Sequence, residues 1–112
     1  MNLGKIVEAL SLTVRAGQEH LARDVTGGYA ADLLSCAMAG ARQGTIWVTL
    51  QGHLNVIAVA SLNELAAIVI AENKPAAPDA LAKAEEEGIP VLTTAMTTFE
   101  VVGKLWELGV RA

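Results

Sequence analysis

The feature that most limits what this chain can fold into is a loose internal repeat of strand and helix. Thr45-Ile46-Trp47-Val48-Thr49-Leu50 opens a first unit, and a helical pattern follows from about His53 to Leu65. Ala66-Ala67-Ile68-Val69-Ile70-Ala71 opens a second, with a helix over Asp79–Glu87, and Ile89-Pro90-Val91-Leu92-Thr93 opens a third, with a helix over Thr98–Leu108. Each strand is a short apolar run without alternation, the pattern of a strand buried on both faces. Strands alternating with helices call for a mostly parallel sheet, right-handed crossovers and helices on both faces. The expected fold class is therefore α/β, a three-layer α/β/α arrangement, in one domain spanning residues 1–112.

The helix ends are marked in the same stretch. Thr97-Thr98-Phe99-Glu100 has the form of a capping box. Phe99, Val102 and Trp106 then fall at i, i+3 and i+7 beside Leu105, which predicts that this face turns inward. Pro78-Asp79 begins the preceding helix, and Gly88 stands where a left-handed cap ends it. Glu85-Glu86-Glu87 sit in that helix's last turn, against its dipole, which fits a solvated face or a basic partner group. Earlier, Asn2 can cap a helix over Leu3–Leu10, Leu12-Thr13-Val14 reads as a short strand ending by Gly17, and Ala30–Ala41 reads as helical. The tandem Gly27-Gly28 offers positive φ and close backbone approach. The run Asn73-Lys74-Pro75-Ala76-Ala77-Pro78 is a loop within the domain.

Composition excludes several function classes. The chain is 53% hydrophobic and 18% charged, too apolar for a disordered segment. Twenty alanines against only four aromatic residues imply a core of small side chains, or an apolar surface covered by a second copy or a partner. The net charge is −4 and the basic residues are scattered, so the basic stripe that nucleic acid requires is missing. No apolar stretch reaches the roughly 18–20 residues of a membrane span, and the first residues lack a signal-peptide plan. The single Cys36 cannot form an internal disulfide and, lying among Ala and Met, is expected to be a small buried thiol. A reducing, cytoplasmic setting is the expectation.

Catalytic motifs are also missing. Gly4-Lys5-Ile6 and Gly103-Lys104-Leu105 lack the hydroxyl that follows a Walker lysine. No serine is framed by glycines as in a nucleophile elbow. His20, His53 and one cysteine do not make a zinc site, and no metal or cofactor is expected. What remains is a polar set where a parallel sheet binds ligands, outside the carboxyl ends of its strands. The loops there carry Gln51, His53 and Asn55, then Glu72 and Asn73, then Thr94, Thr97 and Thr98. Two of them run into helix N-termini, whose free N–H groups and positive partial charge suit phosphate or carboxylate. The same residue types also serve as ordinary caps and turns.

Asp24-Val25-Thr26-Gly27-Gly28-Tyr29, Asp32-Leu33-Leu34-Ser35, Gly44-Thr45-Ile46-Trp47 and Glu85-Glu86-Glu87-Gly88-Ile89-Pro90-Val91-Leu92, followed by the Thr97–Gly109 helix, resemble a DRTGG domain, with Val25 where the family name has Arg. The likeness runs from about Leu3 to Gly109 and is best to short stand-alone members. The family is similar to the N-terminal domain of HPr kinase/phosphorylase and to the N-domains of Mur ligases, which implies the α/β/α fold. It does not imply a kinase, because the related kinase keeps its P-loop in a separate C-terminal domain. Family members elsewhere accompany CBS domains in regulated pyrophosphatases or precede phosphotransacetylase domains, and short ones are encoded near hydrogenase or other redox genes.

The sequence thus leads to a non-catalytic regulatory or interaction module. It is expected to be a homodimer that binds a small anionic metabolite, a nucleotide or a redox-enzyme partner protein, through Gln51, His53, Asn55, Asn73, Thr94, Thr97 and Thr98. Gly27 and Gly28 are candidates for a backbone contact or interface. The alternatives are a structural subunit of a larger redox complex, and a small hydrolase or transferase using His53 with Glu72 or Glu100. With no Gly-Lys-Ser/Thr to cradle phosphate and magnesium, the purified chain is expected neither to hydrolyse ATP nor to phosphorylate HPr. Phosphate release that follows the protein through purification would contradict this.

Overall fold

The computed structural model describes residues 1–112. Its sheet has five strands: β1 (Thr13–Ala16), β2 (Gly27–Ala30), β3 (Thr45–Thr49), β4 (Ala67–Ile70) and β5 (Val91–Thr93). They lie side by side in the order β1-β5-β4-β3-β2. The three repeat strands are parallel, with Trp47 paired to Ile68 and Ile68 to Val91, and β2 joins β3 in parallel. Only β1 runs antiparallel, on β5, with a bulge between Val14 and Ala16. The helices are α1 (Leu3–Leu10), α2 (Leu34–Gly40), α3 (Leu54–Leu62), α4 (Pro78–Glu87) and α5 (Thr98–Glu107). No helix is long and apolar enough to cross a membrane.

The lack of alternation in the central strands has a direct cause. Side chains along a strand point alternately to its two faces, and here both faces are roofed. Trp47, Ile68, Ile70 and Val91 pack with α2, α3 and α4. Ile46, Val48, Val69 and Leu92 pack with α1 and α5 on the other side. Every residue of β3 and β4 is buried. Trp47, which is fully enclosed, satisfies its indole N–H on the Ala31 carbonyl at 2.9 Å.

The signposted helix ends form as read. The Asn2 side chain accepts from Lys5 N–H at the start of α1, Pro78 occupies the first turn of α4, and Gly88 closes α4 at φ +69°. The acidic run at the end of α4 finds its partners inside the chain. Lys83 reaches Glu87 at 3.3 Å and Glu86 at 3.6 Å, and its pKa is raised, chiefly by the hydrogen bond to Glu87. Glu85 accepts from Gly17 N–H. Arg23 donates to the Gly88 carbonyl at 2.9 Å and to the Ala66 carbonyl at 3.4 Å. A cation thus faces the carbonyl end of α4, where the dipole favours one.

Four expectations are corrected. The Gly27-Gly28 pair adopts no positive φ; it forms the edge strand β2. Its glycines are needed for close approach, because a Cβ at 27 would lie 2.9 Å from the Arg111 carbonyl and one at 28 only 3.3 Å from Val110. Gly28 N–H donates to that same Arg111 carbonyl at 2.9 Å. The helix expected over Ala30–Ala41 is confined to Leu34–Gly40, since Ala30 completes β2 and Ala31 N–H pairs with Val48. Cys36 is exposed, because α2 buries only Ala37. Finally, α5 turns Val101 and Leu105 inward, not the face carrying Phe99, which is 89% exposed, Val102 at 39% and Trp106 at 55%. Both stripes have helical spacing, and the pattern alone does not choose between them.

That choice of face has a simple consequence for stability. In dilute solution, Leu105→Ala is expected to cost about 2–5 kcal/mol, the usual loss for a buried leucine. Phe99→Ala is expected to stay within about 0.5 kcal/mol, as surface changes do. Urea unfolding of the two variants measures both values. The reverse ranking would mean that the Phe99 face is the buried one.

Candidate functional site

The carboxyl ends of β3, β4 and β5 carry the loops that hold the expected site residues, but the structure divides those residues among three environments. The first is the start of α3. Asp32 accepts from the Thr49 hydroxyl at 3.1 Å and from Leu50 N–H at 2.8 Å. The Thr49 hydroxyl in turn accepts from Gln51 N–H at 3.2 Å. This chain of bonds fixes the turn that carries Gln51, Gly52 and His53 into α3. His53 occupies the N-cap position without making a side-chain cap bond. The N–H groups of Leu54 and Asn55 have no partner within the chain.

The start of α4 lies alongside. Gly52 accepts from Ala77 N–H at 2.8 Å, and a Cβ on Gly52 would fall 2.0 Å from the Pro75 carbonyl. Only glycine permits this approach of the two loops. Ala77 supplies no side-chain cap to α4, and the N–H groups of Asp79 and Ala80 have no partner. Both helix starts border one open cavity of about 470 Å³, whose lining includes Gln51, Gly52, His53, Lys74 and Pro78. Lys74 forms no ion pair. The cavity therefore gathers two uncapped helix N-termini and a free ammonium group, all of which favour an anion.

The second environment is the start of α5, where carboxylates of the chain itself already occupy the corresponding position. Thr97 caps Glu100 N–H at 3.2 Å, and Glu100 reaches back to Thr97 N–H at 3.0 Å, completing the capping box. Those bonds, first the backbone one from Thr97, hold the Glu100 carboxyl below its ordinary value of 4.5. Glu72 accepts from both the N–H and the hydroxyl of Thr98 at 3.3 Å. Glu72 and Asn73 both have left-handed φ, +59° and +58°, and Lys74 N–H closes on the Ala71 carbonyl, as in a type I′ turn. Asn73 N–H donates to the Thr94 carbonyl at 2.9 Å, and the Thr94 hydroxyl accepts from Met96 N–H at 3.2 Å. Asn73, Thr94, Thr97 and Thr98 thus build the β5–α5 connection.

Asn55 belongs to a third environment, a surface groove between α3 and α4 that also includes Leu62 and Lys83. Gly27 and Gly28 lie at the amino end of β2, at the opposite end of the parallel sheet from these loops. Of the expected site residues, Gln51 and His53 are therefore brought together. Gly52 and Lys74 join them without having been singled out from the sequence. A glycine directly between a strand and a helix was the available signal for Gly52. The loop position of Lys74 carried none, since it depends on the Gly52–Ala77 contact. His53 makes no hydrogen bond to Glu72 or Glu100, both of which are committed to α5.

Comparison with known proteins adds three findings. The sequence model of the DRTGG domain matches residues 5–108. No curated protein matches the chain by sequence. Among solved structures, it is similar to the CBS and DRTGG domains of the regulatory region of Clostridium perfringens pyrophosphatase, determined with the activator diadenosine tetraphosphate. That likeness has a TM-score of 0.71 at 16% identity and covers 93% of this chain. The chain spans 45% of the length of that structure.

The capping box has a pH signature. Because Glu100 titrates below its ordinary 4.5, its contribution to stability is fully present above that pH and is lost as pH falls through the lowered value. The melting-temperature difference between the wild type and Glu100→Ala is expected at pH 7 and should close in acid. Thr97→Ala is expected to cost about 0.5–2 kcal/mol. Melting curves from pH 7 to pH 3 check both.

Proposed function

The chain belongs to the DRTGG domain family, and from that premise we propose that it is a non-catalytic regulatory module that binds a small anionic ligand of the nucleotide type and works as a homodimer. One observation carries the ligand reading. The uncapped starts of α3 and α4 share an open cavity with unpaired Lys74 and with His53. On this reading the phosphates face the positive ends of the α3 and α4 dipoles, where His53 and Pro78 border the cavity. Lys74 supplies charge, and Gln51 and His53 make the side-chain contacts. The activator-bound pyrophosphatase region supports the same class of ligand, as a property of that larger protein.

The enzyme alternative needs His53 to work with Glu72 or Glu100. Both carboxylates hydrogen-bond to threonines at the start of α5 instead, and a general base needs a partner within hydrogen-bond reach. A reducing cytoplasm suits a chain whose one cysteine is free and exposed. The expected link to hydrogenases or other redox enzymes rests on the family resemblance. Co-purification from the native host would identify such a partner.

The ligand reading is tested by thermal shift and calorimetry with adenosine mono-, di- and triphosphate, diadenosine tetraphosphate and inorganic phosphate. At least one nucleotide is expected to bind. Lys74→Ala should weaken it about ten- to a hundredfold, the worth of one charge-assisted hydrogen bond, and His53→Ala should weaken it less. Thr98→Ala should leave the affinity unchanged. If Lys74→Ala binds undiminished while Thr98→Ala loses affinity, the ligand sits at α5. Should no anion bind, the module acts through protein contacts alone.

A further inference from the structure

The exposed face of α5 carries three large apolar side chains that neither the core nor the ligand cavity uses. Phe99, Val102 and Trp106 lie on it at i, i+3 and i+7, with Gly103 among them. Two of the chain's four aromatic side chains are therefore in solvent. Aromatic residues bury roughly 150–250 Å² each when enclosed, so the stripe leaves on the order of 350 Å² of apolar side chain uncovered. That is the size of a functional patch on a monomer. The stripe borders an apolar cleft of about 130 Å³ between α5 and β2, lined by Gly28, Ala30, Val48, Leu105 and Val110. Arg111 stacks on the Trp106 ring at 4.1 Å and holds it in place.

We propose that a second copy of this chain covers the stripe, with the two α5 helices packed antiparallel about a two-fold axis passing between Val102 and Gly103. This rests on the homodimer in the functional reading and names its surface. The spacing of the stripe is self-complementary. A two-fold at that point sets Phe99 opposite the partner's Trp106, and Val102 opposite the partner's Gly103. Each large side chain near the axis thus meets the position that has none. A Cβ at Gly103 would touch nothing within 4 Å in the single chain, so nothing in the monomer requires a glycine there. A closely packed second helix does require one, and otherwise glycine only weakens a helix. The interface uses one patch on both copies, as two-fold dimers do; its aromatic side chains suit an interface core, and Arg111, stacked on Trp106, is a residue type that interfaces favour. A stable pair needs about 800 Å² per copy; the stripe supplies nearly half of that as core, and the cleft and helix flanks form the rim. Gly27 and Gly40 lie outside this seam, packed against Arg111 and the Tyr29 ring of their own chain, while Gly28 reaches its rim through the cleft.

Sedimentation of the full chain over a micromolar range tests the proposal. The wild type is expected to run as a dimer. Phe99→Glu and Gly103→Arg should run as monomers, their dissociation constants raised at least a hundredfold. Circular dichroism of both should be unchanged, since the first side chain is exposed and the second enters open space. Tryptophan emission gives an independent readout. Trp47 is buried in either state, so a red shift on dilution reports Trp106 and should coincide with dissociation. Two variants that remain dimeric would overturn the α5 seam while leaving the dimer itself standing. A monomeric wild type would overturn both.

Discussion

Burial of β3 and β4 on both faces is the constraint on which the rest of the structure depends. These strands contain almost no polar side chain; Thr45 and Thr49 are the exceptions, and both hydroxyls donate to oxygens of the chain. Strands of this kind cannot face water on either side, so each needs a roof of helices above and below. The three crossover helices α2, α3 and α4 supply one roof, and α1 and α5 supply the other. Every parallel strand then ends at the same edge of the sheet, and every following helix begins there.

That arrangement concentrates helix N-termini at the carboxyl edge, and each start must satisfy its free N–H groups. The chain does so in two ways. At the start of α5 the Thr97–Glu100 box caps the helix, and Glu72 adds a carboxylate at Thr98. On the α3/α4 face, His53 and Ala77 make no side-chain cap bond, and Lys74 stands beside them. The same backbone chemistry is thus closed internally on one side and left open to an anion on the other. The asymmetry stems from the loops: the close Gly52–Pro75 contact draws the starts of α3 and α4 together, and the left-handed turn at Glu72–Asn73 points a carboxylate at α5.

Much of the fold was legible because it is written in local patterns. The Val-, Ile- and Trp-containing runs announced buried parallel strands, and Pro78, Gly88 and the Thr97-x-x-Glu100 spacing announced helix ends. The candidate site residues named from the sequence are divided by the structure. Gln51 and His53 share the open cavity, while Thr97, Thr98, Thr94 and Asn73 spend their polar groups on the β5–α5 connection. From composition, a threonine that caps a helix looks the same as one that holds a ligand. The difference lies in whether a carboxylate such as Glu72 reaches it first, and that carboxylate is 26 residues away.

What the amino-acid sequence determined by itself was the class of fold, the parallel direction of the repeat strands and the helix ends. Periodicity, capping and turn chemistry all act within a few residues, so a single chain displays them openly. Only the tertiary structure decided which stripe of α5 faces the core, why Gly27 and Gly28 are glycines, that Cys36 lies outside, and which helix starts remain open. Each of these depends on what a distant segment brings within a few ångströms: the Arg111 carbonyl against β2, Pro75 against Gly52, Glu72 against Thr98. Local sequence sets what a residue can do, and the packing of remote segments sets which of those possibilities is still available.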